Sequence, residues 1–425
     1  MKLPFYWGSA TSAHQVEGNN ALSDWWAWEK QGKVKEESGL ACDHYQRFSQ
    51  DFQIAKNLGH NSHRFSLEWS RLEPEEGVWD LNAFQHYRLV LEDLKSRSIE
   101  PFVTLHHFTN PIWFDRLGGW QHPKAVDYFL RYVKKAAEFF GDQVEFWITI
   151  NEPMVYLYFS YLVGEWPPGV RSYDASLKVL YQLIQAHLRS YEVIHHHYDK
   201  VLKKPVWVSF AKHMTYYTPC HENSWRDRIA LRMRDWFVND MMLNALDGGF
   251  LFFPAVFCEF LSKRGALDFI GINYYTRDFI RFAGLAEIDT LGSPCDKAHH
   301  SKEIKELNMM GWEVYPEGLY HLLKKLKKYN LPIVVTENGI CAETDEQRSR
   351  FIQNHLEALG KAKDEGVDVR GYFYWSLLDN FEWAHGFRPR FGIVEVDYKT
   401  QERKIRNSAK TLTDYCRKIS AGAAL

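Results

Sequence analysis

A (β/α)8 barrel with loops inserted at one rim is the fold this sequence predicts, and three observations carry it. Eight short apolar runs of strand length alternate with eight longer amphipathic stretches, the count that closes such a barrel. Seven of the eight runs end within a few residues of a polar or aromatic cluster, and in a barrel all strand ends converge on one rim. Linkers rich in Gly, Ser or Pro, low-complexity tracts and short repeats are missing from the sequence. Residues 1–425 are therefore read as a single barrel catalytic domain, because α/β barrels grow by loop insertion past ordinary domain length.

The first run, Phe5–Ala10, leads into Thr11–Gly18, and a helix is expected over Asp43–Asn57. Ser62–Ser66 follows, with Ser66–Arg71 at its end. The next helix, Leu81–Arg97, shows the period most clearly, with Phe84, Tyr87, Leu91 and Leu94 on one face. Pro101–Leu105 ends in His106–Trp113 and precedes a helix over Pro123–Phe140. Phe146–Ile150 ends in Asn151–Pro153, ahead of a helix over Ala175–Tyr198. The fifth run, Val206–Ala211, carries no such cluster and is followed by a helix over Trp225–Leu246. Phe269–Asn273 ends in Tyr274–Thr276, with a helix over Pro316–Tyr329. Ile333–Thr336 ends in Glu337–Gly339, with a helix over Asp345–Glu365. Gly371–Trp375 ends in Ser376–Trp383, and Ile405–Ile419 closes the chain as a helix.

Composition narrows the function. The 45% hydrophobic and 25% charged fractions are those of a globular chain with a large core. A formal net charge of −2 calls for neither nucleic acid nor an anionic membrane as partner. No run of about 20 apolar residues offers a membrane span, and Met1-Lys2 leads straight into Leu3–Gly8, too short for a signal h-region; a cytoplasmic protein is expected. The 16 Trp, 23 Tyr and 28 Phe fill core and also suit stacking on the flat apolar faces of sugars. The cysteines (Cys42, Cys220, Cys258, Cys295, Cys341, Cys416) lie far apart, without C-x-x-C or zinc-finger spacing. They read as small buried hydrophobes or free thiols.

Two carboxylates stand out. Thr149-Ile150-Asn151-Glu152-Pro153 closes the fourth strand, and Val335-Thr336-Glu337-Asn338-Gly339 closes the seventh. Each puts a glutamate beyond an apolar run, where a carboxylate is costly unless paired, hydrogen-bonded or catalytic. Two on one rim supply the proton donor and nucleophile that glycoside hydrolysis requires; two structural salt bridges are the alternative. Other polar groups have plainer readings. Trp375 or Trp383 alone suits core packing. His106-His107 alone suggests a metal site, but no H-x-H stands at the first strand end. His195-His196-His197 inside a helix cannot share one face and reads as solvated. His60 and His63 read as structural or solvent-facing.

Asn151-Glu152-Pro153 and Thr336-Glu337-Asn338-Gly339 resemble the two signature motifs of family 1 glycoside hydrolases, the β-glucosidase family. The resemblance runs nearly end to end. It includes Gly8–Gly18, Arg64-Phe65-Ser66 with Trp69 and Arg71, Gly271–Tyr275, Gly311–Pro316, Tyr374–Trp383 and Arg390-Phe391-Gly392. It implies a retaining β-glycosidase, first of all a β-glucosidase with activity on β-galactosides and β-fucosides. Glu152 would protonate the leaving oxygen and later deprotonate water, while Glu337 would form a covalent glycosyl-enzyme. The same resemblance implies that Gln15, His106, Asn151, Glu382 and Trp383 hydrogen-bond sugar hydroxyls and that Trp375 is the stacking platform. Asn151 would reach the 2-hydroxyl. Asn273 and Tyr275, two apart and so on one strand face, would join the substrate site, with the Tyr275 hydroxyl beside the nucleophile. Arg64 would keep Glu337 ionised. The implied substrates are small β-glycosides and oligosaccharides, and the implied mechanism uses no cofactor and no metal.

The sequence also departs from the pattern. Family members often read His-Trp-Asp-x-Pro after the third strand, where this chain has His106-His107-Phe108-Thr109-Asn110-Pro111. The chain is short for the family, which suggests trimmed rim loops and an open aglycone side favouring varied aglycones and transglycosylation. Rival readings remain: a 6-phospho-β-glycosidase, opposed by Glu382 facing a phosphate dianion although Arg388 and Arg390 are near; a sugar-binding relative without activity, opposed by both glutamates; and a myrosinase-like S-glycosidase, opposed by Glu152.

Overall fold

The computed structural model describes residues 4–253, 257–261, 263–284 and 291–421 of the chain. Eight parallel strands form its centre: β1 (Tyr6–Ala10), β2 (Ser62–Ser66), β3 (Glu100–His106), β4 (Phe146–Asn151), β5 (Trp207–Pro219), β6 (Ile270–Arg281), β7 (Ile333–Asn338) and β8 (Val369–Trp375). Each pairs with the next, and β8 pairs back onto β1 from Gly371↔Tyr6 to Trp375↔Ala10, closing the barrel. One extra short strand, Ser293–Pro294, runs antiparallel to the end of β6. The expected strands are all present, and six of them keep their expected bounds to within two residues.

The helices α1 (His44–Asn57), α2 (Leu81–Ser96), α3 (Ala125–Phe140), α4 (Tyr173–His197), α5 (Trp225–Asp235), α6 (Pro316–Leu326), α7 (Asp345–Asp364) and α8 (Ser408–Ser420) follow the strands in turn. Their starts are locally encoded. Asp80 accepts from the Asn82 and Ala83 N–H groups at the head of α2, and Thr344 does the same for Gln347 at the head of α7, removing orphan donors. The helix expected over Trp225–Leu246 is three pieces, because a π turn at Trp236–Asp240 separates α5 from Met241–Gly248. The final helix starts at Ser408 rather than Ile405, since Arg403–Ile405 pairs antiparallel with Val394–Val396.

Phe102, Phe146, Ile148, Ala211, Phe269, Val334 and Phe373 fill the barrel interior, with the Phe102 and Phe146 rings stacked 4.2 Å apart. The centre is thus a packed plug, and the free volume lies above it at the C-terminal rim. At that rim Gly339 passes so close to β8 that a Cβ would sit 1.8 Å from the Trp375 carbonyl oxygen, which explains the glycine after Glu337-Asn338.

Strands β5 and β6 outrun expectation. Beyond the rim they pair with each other from Tyr216↔Arg277 to Pro219↔Ile280, and their mixed polar and aromatic sequence hid this arm. The arm also corrects the reading of two cysteines. Cys220 and Cys295 form a disulfide across 75 residues, because both backbones dock on β6: Cys220 N–H donates to Ile280 and Cys295 N–H to Phe279. Cys42, Cys341 and Cys416 are buried free thiols, as expected; the Cys258 side chain lies outside the described residues. His60 and His63 are buried rather than solvent-facing. His195 is also only partly solvated, because it meets Asp268 at 2.8 Å. No described helix is long and apolar enough to cross a membrane.

Candidate active site

At the C-terminal rim a cleft of about 470 Å³ is lined by Gln15, His107, Asn151, Glu152, Tyr275, Glu337, Trp375, Glu382 and Trp383, among others. Eight of the eleven site residues expected from the sequence line it, and His106, Asn273 and Arg64 do not. The acidic pair comes from the ends of β4 and β7. Glu152 sits in the left-handed region at φ 43°, a conformation that costs a non-glycine residue about 1–3 kcal/mol. Its own N–H is tied to Ala211 O at 2.8 Å, and the turn starts a helical segment at Pro153.

The two carboxylates have different neighbours. Glu337 Oε1 accepts from Arg64 Nη1 at 2.5 Å, and its Oε2 accepts from the Tyr275 hydroxyl at 2.5 Å. Glu152 Oε1 accepts from Asn273 Nδ2 at 2.8 Å. Burial pushes Glu152 up to about 8, and the nearby Glu337 charge adds to this, while Asn273 and more distant Arg64 and Lys212 oppose it. Burial raises Glu337 too, but Arg64 and Tyr275 in direct contact pull it back. Contact with a guanidinium and a phenol favours the charged form, so Glu152 keeps its proton to higher pH than Glu337.

A polar relay behind the cleft links the pair. Arg64 also donates to Asn151 Oδ1 at 2.6 Å through Nη2, and to Thr104 and the Thr336 carbonyl. Asn273 donates to the same Asn151 oxygen at 3.1 Å and accepts from Thr336 Oγ1 at 2.6 Å. With its oxygen occupied twice, Asn151 has its amide nitrogen free to donate; Nδ2 lies 3.2 Å from His107 Nε2. Asn273, expected to touch substrate, does not line the cleft. It is fully buried, and its side chain is spent on Glu152, Asn151 and Thr336.

His106 is the second correction. It does not line the cleft, but packs edge-on against Trp120, Phe129 and Tyr156 and meets Asn110 at 3.1 Å. Alternation breaks at the end of β3: Leu105 already belongs to the helix-facing core, and His106 faces that layer as well. His107 thereby turns into the cleft, with its ring stacked near Trp375 at 5.9 Å and Trp383 at 6.2 Å. Burial holds it well below the usual histidine range, so the ring is neutral.

Gln15 Nε2 donates to Glu382 at 3.3 Å, to Asn380 and to the Phe381 carbonyl. Burial and the Glu337 charge raise Glu382 to about 8, with Gln15 opposing. Trp383, at φ 52°, packs among Trp25, Trp166 and Phe108. Arg390 is spent on Asp379 and the Val396 carbonyl, Arg388 is exposed, and neither lines the cleft. Farther out the walls are mostly apolar: Val155, Phe159, Leu162, Trp166, Phe237, Leu291 and Trp312. His213, Thr215 and Tyr217 of β5 also line the cleft. They alternate along the strand, a signal present in Lys212–Tyr217 and overlooked because the apolar run ends at Ala211.

The sequence pattern of Glycosyl hydrolase family 1 matches residues 2–419. β-Glucosidase A of Thermotoga maritima is 33% identical over 438 residues, covering 95% of this chain and 95% of its own length. A β-galactosidase of Pyrococcus woesei is 30% identical, covering 96% of this chain and 95% of its own length. The solved β-glycosidase from Pyrococcus horikoshii superposes with a TM-score of 0.89 at 40% identity, covering 98% of this chain and 96% of that one. With a closed eightfold barrel, two glutamates at its rim and likeness over nearly its whole length, the chain belongs to glycosyl hydrolase family 1.

Proposed function

We propose that Glu337 is the nucleophile and Glu152 the acid/base of a retaining β-glucosidase that also takes β-galactosides and β-fucosides. The observation that carries this reading is the asymmetry of the pair: a cation and a phenol on Glu337, an amide on Glu152. An ionised Glu337 attacks the anomeric carbon while protonated Glu152 gives its proton to the departing oxygen. Forming the ester removes the Glu337 charge, the second-largest cause of the raised Glu152 value. Glu152 then holds its proton less tightly and serves as the base for the incoming water.

The walls supply the positioning. Asn151 presents its amide to the 2-hydroxyl, a contact that strengthens in the transition state. His107 lines the cleft beside Asn151 and offers its ring to a further hydroxyl. Gln15 and Glu382 take the far hydroxyls, Trp383 contributes its indole N–H, and Trp375 offers a stacking face. The apolar outer walls fit varied aglycones, with residues 1–425 acting as one catalytic unit. A 6-phosphate would meet the Glu382 carboxyl, with Arg388 and Arg390 outside the cleft.

Values of kcat/KM on aryl β-D-glucoside, β-D-galactoside, β-D-fucoside and β-D-glucoside 6-phosphate test the assignment. Turnover of the three unphosphorylated sugars without the phosphate supports it. Turnover of the 6-phosphate alone overturns the role given to Glu382, and a folded sample inert on all four overturns the catalytic reading.

A further inference from the structure

We propose that Cys220, Cys295 and His300 form a two-state site, a disulfide when oxidised and, when reduced, a three-ligand site for zinc or a similar soft divalent cation, with His299 at its edge. None of these residues lines the cleft that holds the glutamate pair, and the site owes nothing to the reading of that cleft. Cys220 follows β5 and Cys295 follows the strand Ser293–Pro294, and β6 lies between them. Hydrogen bonds of 2.8 Å to the Ile280 carbonyl and 2.7 Å to the Phe279 carbonyl fix their backbones. The Cα atoms stand 6.1 Å apart.

The chain then turns back over the sulfurs. Asp296 caps the 3-10 turn Lys297–His300 by accepting from the Ala298 N–H at 2.9 Å. This brings His299 Nδ1 to 3.7 Å from Cys295 Sγ. A ring nitrogen of His300 and both sulfurs lie within 4.8 Å of one another. The His300 ring is pinned against Phe279, with centroids 3.6 Å apart. Its Nδ1 meets the Glu303 carboxylate at 3.1 Å, while its Nε2 is buried with no protein partner.

That orphaned nitrogen is the telling feature. A buried polar atom left unpaired loses its water without gaining a partner, which is costly. A carboxylate on the other ring nitrogen is the arrangement that fixes a metal-ligating histidine, since it places the proton on Nδ1 and the lone pair on Nε2. Two sulfurs and one imidazole make a soft donor set suited to zinc, with the fourth tetrahedral position left to His299 or water.

The interconversion balances. A dithiol reductant passes two electrons and two protons to the Cys220–Cys295 bond and itself becomes a disulfide. The resulting thiols release two protons as their thiolates take up the cation. In both states the hairpin bearing Leu291 and Pro294, which line the cleft, stays tied to β5.

Cobalt(II) titration of the full chain, reduced with a dithiol and freed of it anaerobically, tests the proposal. The expected result is two additional thiols on reduction, then a thiolate-to-cobalt charge-transfer band saturating near one ion per chain and displaced by zinc. Cys220→Ser should abolish the band. His300→Ala, which leaves the cysteine pair intact should the serine variant misfold, should weaken binding more than about 100-fold, and Glu303→Gln by about 10- to 100-fold. The proposal is overturned by reduced wild-type chain that shows no charge-transfer band. A band that survives Cys220→Ser with Cys295→Ser, or a pair that the dithiol does not reduce in the folded chain, also overturns it.

Discussion

Arg64 holds Glu337 through a 2.5 Å charged hydrogen bond, Nη1 to Oε1, with both side chains almost wholly buried. The same guanidinium reaches Asn151, the residue before Glu152. One arginine from β2 therefore orders the ends of β4 and β7 together. It also explains how two carboxylates share one rim: the cation favours charge on Glu337, and that charge favours the proton on Glu152.

The pH profile should carry this arrangement. As the proposed acid Glu152 must be protonated, so kcat/KM should fall as pH rises through about 8. As the proposed nucleophile Glu337 must be ionised, and burial raises its value above the ordinary carboxylate one, so the acid limb should lie above the usual glutamate range. Glu152→Gln should remove the upper limb with an activated aryl leaving group, and cost about 10²- to 10⁴-fold with a poor one. Glu382→Gln should keep the limb, which separates the two groups that titrate near 8.

Tyr275→Phe deletes one hydrogen bond to the Glu337 carboxylate. Bonds to charged groups are worth about 1.5–3 kcal/mol, so kcat should drop roughly 10- to 150-fold. Since the phenol lowers Glu337, the acid limb should move to higher pH. Steady-state kinetics across pH would show both effects, and an unmoved limb would count against the positioning role.

His107 and His106 should behave differently despite adjacency. His107→Ala should lower kcat/KM about 2- to 10-fold by losing a neutral hydrogen bond worth about 0.5–1.5 kcal/mol, with a smaller loss of stability than at His106. His106→Ala removes a buried ring from between Trp120 and Tyr156 and should cost about 2–4 kcal/mol of stability, leaving the ratio of glucoside to galactoside activity unchanged. Thermal melts alongside a two-substrate assay distinguish them.

Arg403→Ala should destabilise without altering the kinetics of the folded fraction. Arg403 pairs with buried Asp51 at 2.8 Å and 3.1 Å, tying the strand before α8 to α1. Removing one partner of a buried pair costs about 3–5 kcal/mol. Burial alone would raise Asp51, but His44 and Arg403 hold it below its usual value. Its stabilisation is therefore present above the unfolded carboxylate value and lost as pH falls through the lower folded one. Denaturant melts at neutral and acid pH should show the wild-type advantage shrinking on acidification.

The barrel was legible because its signals are local: apolar runs of strand length, amphipathic helices, and polar clusters at run ends. Both glutamates were legible because each interrupts such a run. What escaped depends on non-local geometry. The loss of alternation at His106–His107 is decided by packing against Trp120, Tyr156 and Phe129, which come from three separate segments. The arm carrying His213, Thr215 and Tyr217 gains its pairing only from β6. The substrate role expected of Asn273 fails because Glu152, Asn151 and Thr336 occupy its side chain. The Cys220–Cys295 bridge needs three strands in register, which spacing along the chain does not reveal.

The most direct test of the central claim is peptide mapping after incubation with a 2-deoxy-2-fluoro-β-D-glucoside bearing an activated leaving group. The fluorine slows both steps by destabilising the oxocarbenium-like transition state, and the good leaving group lets the first proceed. The account predicts a stable 2-fluoroglucosyl ester on Glu337 alone, with activity lost in step with labelling. A label on Glu152, or turnover of ordinary glucosides with inverted product and no trapped ester, would contradict it.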